Sequence, residues 1–260
     1  YFGKDETILY SGDFRAESFL DEDEFFEFNE GQDLLSFLEG NRDVKIDTLI
    51  IEGTNVGSSR SPLSPKEAAE TIRKVVTNQR PIIATLHNLD LEYAYTLMKL
   101  SAELDLNCYI ASPQTAKLIE KMPKKIVEPK LIEEYVDHLT PLEKLSINDV
   151  EKDSLAIVPY REIIDFLRDM KLTAKDIMST SVAIISEPEP EAEEASEYTV
   201  IANWLSKLGI QFYRIRASGH YYPYHLKTIL NTINPKKKIE VIHTEKPKLF
   251  YSLSNSLMGK

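Results

Sequence analysis

The chain has 260 residues with a formal net charge of −11 at pH 7, and 42% of its residues are hydrophobic. This length suffices for one large domain or two small ones. The acidic balance excludes nucleic-acid binding through bulk positive charge, but not a narrow basic channel. The lone cysteine, Cys108, excludes an intrachain disulfide and indicates a reducing, cytoplasmic environment. No apolar run reaches the roughly 18 residues of a membrane span, so no membrane association is expected.

The first part of the chain predicts a strand, a loop, a helix and a second strand. Residues 7–10 and 48–51 are apolar and strand-like. The segment 21–30 combines carboxylates with phenylalanines, and we interpret it as a surface loop with aromatic anchors in the core. Residues 32–38 place their leucines on one face, which predicts a short helix.

A linker rich in serine and proline follows at 58–65, and Ser64 with Pro65 and Glu67 is a strong helix start. Beyond it, apolar runs alternate with amphipathic helical runs. The strand-like runs are 81–86, 106–111, 154–159 and 181–186. Residues 123–153 are charged and predict short surface helices. The alternation favours parallel βαβ units, so we predict an inserted doubly wound domain over 60–205.

The last part of the chain contains two histidines, one before a predicted helix and one after a predicted strand. A predicted strand at 211–216 leads to Gly219-His220, and a helix-like run follows. After Asn234-Pro235, the apolar strand 239–242 ends at His243. Ligands gather at the carboxyl ends of strands in open α/β sheets, so both imidazoles could face one crevice. Imidazole is the commonest metal ligand and the usual proton carrier near neutral pH.

Two carboxylates occupy similar positions earlier in the chain. Asp13 follows the strand-like run 7–10, and Glu52 follows 48–51 directly before Gly53. Either could bring an oxygen ligand to the cleft. Asp13 could equally be a turn aspartate. Glu52 could orient another ligand, or it could cap the turn that begins at Gly53.

Four short motifs, in this order, resemble those of the β-CASP branch of the metallo-β-lactamase superfamily, which contains ribonuclease J and the mRNA 3′-end nuclease. They are SGDFR at 11–15, IIEGTN at 50–55, ASGH at 217–220 and IHTE at 242–245. The resemblance implies the carboxyl-terminal part of an αββα metallo-β-lactamase fold, formed by 1–59 and 206–260. The predicted insert 60–205 would be the β-CASP domain.

The resemblance also implies a function and residue roles. Asp13 matches the metal-bridging aspartate and His243 a zinc ligand. His220 and Glu52 match catalytic motif residues, with His220 at the scissile phosphate or leaving group. The whole protein would be a zinc-dependent ribonuclease with two zinc ions, holding RNA in a cleft between its domains, and a homodimer is possible. The alternative is a non-catalytic β-CASP protein that binds RNA or a partner subunit.

One signature of that family is missing from the sequence. The run His-x-His-x-Asp-His does not occur, and no two of the histidines lie two positions apart; they are at 87, 138, 220, 225 and 243. We expect an amino-terminal portion with most of the metal ligands to be absent from this chain, so the chain alone is an incomplete enzyme. His87, His138 and His225 are expected to be structural. The tyrosines at 221, 222 and 224 are expected to pack, with base stacking as the alternative.

Overall fold

A computed structural model describes residues 6–29, 31–58, 63–79, 81–87, 90–122, 130–131, 152–173, 175–187 and 195–259. The chain divides into two compact units. One is formed by Tyr1–Ser64 together with Ser218–Lys260, and we call it the split unit. The other is the continuous stretch Pro65–Ala217, the central unit. Each contains a parallel sheet, so the chain is α/β as the sequence predicts. Within the described ranges, no helix combines the length and apolarity needed to cross a bilayer.

The split unit is built on a three-stranded parallel sheet in the order β1-β2-β9. Its strands and helices are β1 Ile8–Tyr10, α1 Glu22–Asn29, α2 Leu34–Gly40, β2 Thr48–Glu52, α9 Leu226–Ile233, β9 Lys238–Ile242 and α10 Pro247–Leu257. Leu49 and Ile51 of β2 are fully buried and form a core with α9 and with Phe250 of α10. The chain therefore brings together the carboxyl ends of strands that are far apart in sequence.

The central unit is a six-stranded parallel sheet in the order β5-β4-β6-β3-β7-β8. Its strands are β3 Ile82–Leu86, β4 Asn107–Ile110, β5 Lys130–Leu131, β6 Ser154–Pro159, β7 Val182–Ile185 and β8 Gln211–Arg214. Its helices are α3 Pro65–Asn78, α4 Leu91–Glu103, α5 Pro113–Ile119, α6 Ile163–Thr173, α7 Lys175–Met178 and α8 Ala195–Lys207. Every residue of β3, β6 and β7 is buried, which explains their continuous apolar sequences.

The acidic aromatic segment is a helix, α1, and the prediction of a loop anchored in the core is wrong. Asp21 Oδ1 accepts from the Glu24 amide at 2.8 Å, and Glu24 Oε2 accepts from the Asp21 amide at 3.2 Å. This reciprocal capping and the carboxylates of the first turn stabilise the helix start. No residue of α1 is buried, and Phe26 is 60% exposed.

The central unit differs from the predicted insert at both ends. It runs from Pro65 to Ala217, whereas position 205 lies inside α8. The reason is that β8 hydrogen-bonds to β7. The strand β8 is therefore part of the central sheet, and the helix α8 that leads into it belongs to the central unit. Positions 59–62 of the predicted linker and positions 123–129 and 132–151 of the predicted surface helices lie outside the described residues.

Candidate metal centre

The parallel sheet of the split unit places the predicted site residues at one edge. Asp13, Glu52 and His243 all lie at or just beyond the carboxyl ends of β1, β2 and β9. Gly12 turns the chain after β1 with φ of +59°. His243 turns it after β9 with φ of +49°, a left-handed conformation that costs a non-glycine residue about 1–2 kcal/mol. His220 arrives on the short turn before α9.

Three of these side chains converge. One potential ligand atom each from Asp13, Glu52 and His220 lies within 4.8 Å of the others. The Glu52 side chain is fully buried, that of His220 is 25% exposed, and that of Asp13 is 56% exposed. Solvent exposure therefore increases from the Glu52 carboxylate through the His220 imidazole to the Asp13 carboxylate.

Glu52 is best placed to orient His220. Its Oε1 lies 3.2 Å from His220 Nδ1, and its Oε2 accepts from the Thr54 amide at 2.9 Å. Both carboxylate oxygens are therefore already used. If Glu52 accepts the Nδ1 proton, Nε2 is the ring nitrogen that can bind a metal or exchange a proton.

Asp13 and His243 form a second pair at the exposed end of the cluster. Asp13 Oδ1 lies 3.1 Å from His243 Nδ1, and the two side chains are 56% and 59% exposed. Asp13 thus lies between His243 and the Glu52–His220 pair. Asp13 Oδ2 and His243 Nε2 are the other potential ligand atoms of this pair.

Asn55 and Tyr221 support the site, and sequence analysis assigned neither this role. Asn55 Nδ2 lies 3.0 Å from Ser218 Oγ and 3.2 Å from the carbonyl oxygens of His220 and Tyr221. The Tyr221 hydroxyl donates to the Glu52 carbonyl at 2.6 Å. Burial, with a contribution from the Glu52 charge, raises the pKa of this hydroxyl, which therefore stays protonated. No spacing signal in the sequence points to these contacts.

Gly53 allows the end of β2 to approach β9. A Cβ at this position would lie 2.8 Å from Val241 Cγ2 and 3.1 Å from Thr244 Cβ. Any larger residue would therefore displace either the turn after Glu52 or the one that carries His243.

The other histidines do not join this cluster. His225 Nε2 lies 3.0 Å from Glu17 Oε1, and its Nδ1 accepts from the Tyr222 amide, so it closes a local turn. His87 is exposed at the end of β3 in the central unit. His138 lies outside the described residues.

The donor set suits zinc. Asp13 offers carboxylate oxygen, and His220 and His243 offer imidazole nitrogen, which are ordinary zinc ligands. A catalytic zinc site usually has three protein ligands and one open position, and Asp13 with His243 supplies two of these ligands. The buried Glu52 supplies the carboxylate that metal-binding histidines commonly contact through their second nitrogen.

Comparison with known proteins supports the fold alone. The chain is similar to the crystal structure of a protein of unknown function from Enterococcus faecalis V583, with a TM-score of 0.65 and 18% sequence identity. The similarity covers 95% of this chain and 54% of that protein, so the chain spans about half of its length. No family model and no curated protein matches the sequence.

Proposed function

We propose that this chain is the carboxyl-terminal part of a metallo-β-lactamase fold with an inserted β-CASP domain, and that it belongs to a zinc-dependent ribonuclease. The observation that carries the proposal is the convergence of Asp13, Glu52 and His220 within 4.8 Å, with His243 3.1 Å from Asp13. These are the four residues that the motif resemblance picks out. Each unit contains a parallel sheet, and the central unit is inserted into the sequence of the split unit. This organisation is consistent with that architecture.

Each residue has a defined task in this proposal. Asp13 and His243 hold zinc, and His220 contacts the scissile phosphate or gives a proton to the leaving oxygen through Nε2. Glu52 fixes the orientation of the His220 ring through its contact with Nδ1. When bound, zinc lowers the pKa of a coordinated water and withdraws charge from the phosphate.

Metal binding tests the site itself. Zinc affinity is measured by calorimetry, and cobalt coordination by visible absorption, in the full-length protein that carries this chain and in its Asp13→Asn and His243→Asn variants. Removing a ligand should weaken zinc binding at least ~10-fold, given that even indirect partners contribute about 10–100-fold. Asp43→Asn changes an exposed carboxylate away from the cluster and should leave the affinity unchanged. Equal affinity in the wild type and Asp13→Asn would rule out this metal site.

Activity tests the role of His220. A 5′-labelled single-stranded RNA is incubated with zinc and the full-length protein that carries this chain. His220→Gln should keep zinc binding and lose RNA cleavage by about 10²-fold or more, the usual contribution of a general acid. Unchanged cleavage by this variant would remove His220 from the mechanism.

A non-catalytic RNA- or partner-binding protein is the second candidate. The net charge of −11 gives no bulk attraction for RNA and favours the partner-binding form of this candidate. RNA that is bound in the presence of zinc but never cleaved would select this candidate over the nuclease.

A further inference from the structure

A row of polar side chains crosses the carboxyl edge of the central sheet. Neighbouring strands pair Leu86 with Pro159, Ala84 with Ile184 and Ile185 with Arg214. Continuing these registers beyond the strand ends aligns four residues, which we call the edge row: Tyr160, His87, Glu187 and Arg216. The pairing is parallel throughout, so the row lies just beyond the ends of adjacent strands of one sheet, with Tyr160 at the start of a 3₁₀ turn.

The backbone below the edge row is fixed by hydrogen bonds. The Ser186 amide donates to Thr85 Oγ1 at 2.9 Å, and Ser186 Oγ donates to the Thr85 carbonyl at 2.6 Å. The Ile215 amide donates to the Ile185 carbonyl at 3.1 Å. These contacts hold the residue after Ser186 in place between β3 and β8.

Glu187 is the unusual member of the row. It is only 7% exposed, and its Oε1 is buried without a hydrogen-bond partner among the residues that the structure describes. Burial raises the pKa of this carboxyl, and the charges of His87 and Arg216 oppose that shift. A buried carboxyl oxygen without a donor is costly, by about 1–3 kcal/mol, unless a ligand supplies one.

The edge row also lies where the chain changes direction across the sheet. The connection from β3 leads through α4 to β4, toward one edge. The connections from β6 and from β7 lead toward the opposite edge. The carboxyl ends of strands at such a reversal are the usual ligand site of open α/β sheets.

The chemistry of the row restricts the ligand. No group of three potential metal ligands other than Asp13, Glu52 and His220 converges in the described part of the chain, so the row does not match a metal site. The nearby Tyr198 ring is covered by the Arg214 guanidinium at 4.2 Å, which leaves that ring unsuited to stacking a base. What the row offers is an oxygen acceptor flanked by a guanidinium and an imidazole.

We propose that the edge row binds one ribonucleotide unit of RNA, with Glu187 Oε1 accepting from the ribose 2′-hydroxyl and with Arg216 and His87 contacting the phosphate. Carboxylates at strand ends of doubly wound sheets bind ribose hydroxyls in this way, and the 2′-hydroxyl is the group that distinguishes RNA from DNA. This inference rests on the proposed function, since it takes RNA as the substrate, and it assigns the choice of sugar to the central unit.

The test compares AMP with 2′-deoxy-AMP by calorimetry, using the full chain with Asp13→Asn to weaken metal-dependent binding. The wild-type edge row should favour AMP by about 10-fold, which is 1.4 kcal/mol and close to the value of one hydrogen bond to a charged group. Glu187→Gln should reduce the preference to below about 3-fold, as for a neutral hydrogen bond. Arg216→Ala should weaken both nucleotides equally. Glu120→Gln, at an exposed position after α5, is the matched control and should change neither.

Equal binding of AMP and 2′-deoxy-AMP by the wild-type edge row would overturn the proposal, as would a preference that survives both Glu187→Gln and Glu187→Ala. The result is separable from the fate of the nuclease proposal. A ribose preference without zinc binding or RNA cleavage would sustain the edge row and reject the ribonuclease. RNA cleavage without a ribose preference would reject the edge row as a ribose site and support the ribonuclease.

Discussion

Asn55 joins two loops of the split unit through one buried amide. Because its Nδ2 lies near Ser218 Oγ and two backbone carbonyls, Asn55→Ala would remove the donor that these three oxygens share, including one buried hydrogen bond. We expect a loss of about 1–3 kcal/mol in the free energy of unfolding, measured in urea. The matched control is Asn29→Ala, whose amide bonds only the exposed Phe25 carbonyl at 3.0 Å. A loss no larger than in this control would contradict the assigned role.

A second prediction at the scale of single residues concerns the close packing at Gly53. Gly53→Ala places a methyl group 2.8 Å from Val241 Cγ2, so the turn after Glu52 must shift. Overpacking of this kind costs about 1–3 kcal/mol, and zinc affinity should fall along with stability. Gly40→Ala meets nothing within 4 Å and should not destabilise the protein. Zinc titration and urea unfolding of both variants provide the comparison. Full zinc affinity in Gly53→Ala would show that the site does not depend on this close packing.

At the scale of single elements, the stability of helix α2 depends on the charge of its N-cap residue. Asp33 accepts from the amides of Leu35 at 2.8 Å and Ser36 at 3.0 Å. Partial burial raises the pKa of the Asp33 carboxyl, but hydrogen bonds from Ser36 and Leu35 outweigh it and bring the pKa below its usual 3.8. The ionised form is therefore favoured by folding. Its stabilisation is present above the unfolded pKa and is lost as the pH falls through the folded pKa.

Asp33→Asn tests this dependence, since asparagine caps a helix as well but carries no charge. The wild type should be more stable than the variant at pH 7, and the difference should disappear as the pH drops below about 3.8, the usual aspartate value. Urea unfolding of both proteins at several pH values measures it. A difference that stays constant to pH 3 would show that the carboxylate charge contributes nothing.

At the scale of the whole molecule, the location of all metal ligands in one unit should show in amide hydrogen exchange. Asp13, Glu52, His220 and His243 all belong to the split unit. Zinc should therefore slow amide hydrogen exchange in β1, β2 and β9 and leave β3 to β8 unchanged. At 100 times the dissociation constant, the stabilisation should approach about 2.7 kcal/mol. At the same zinc concentration, the ~10-fold or larger loss of affinity in Asp13→Asn should reduce it to about 1.4 kcal/mol or less. Equal protection of both sheets would contradict a site confined to the split unit.

Much of the fold follows from local sequence. The apolar runs of β3, β6 and β7 predict buried parallel strands because both faces of those strands are covered. The Ser64-Pro65 start correctly predicts α3. Local sequence failed for α1, whose phenylalanines suggested burial while its capping carboxylates determined a helix. It predicted the strand β8 within 211–216 but not its place in the central sheet, because pairing with β7 is not encoded in the strand's own sequence.

The sequence by itself determined an α/β chain and identified Asp13, Glu52, His220 and His243 as candidates, since each follows a recognisable strand or turn. Only the tertiary structure decided that β9 pairs with β2, although the whole central unit lies between them in the chain. It also decided that both oxygens of Glu52 are occupied, and that Asn55 and Tyr221 fix the site. The physical reason is that parallel pairing and buried hydrogen bonds depend on groups distant in the chain, which no local periodicity specifies.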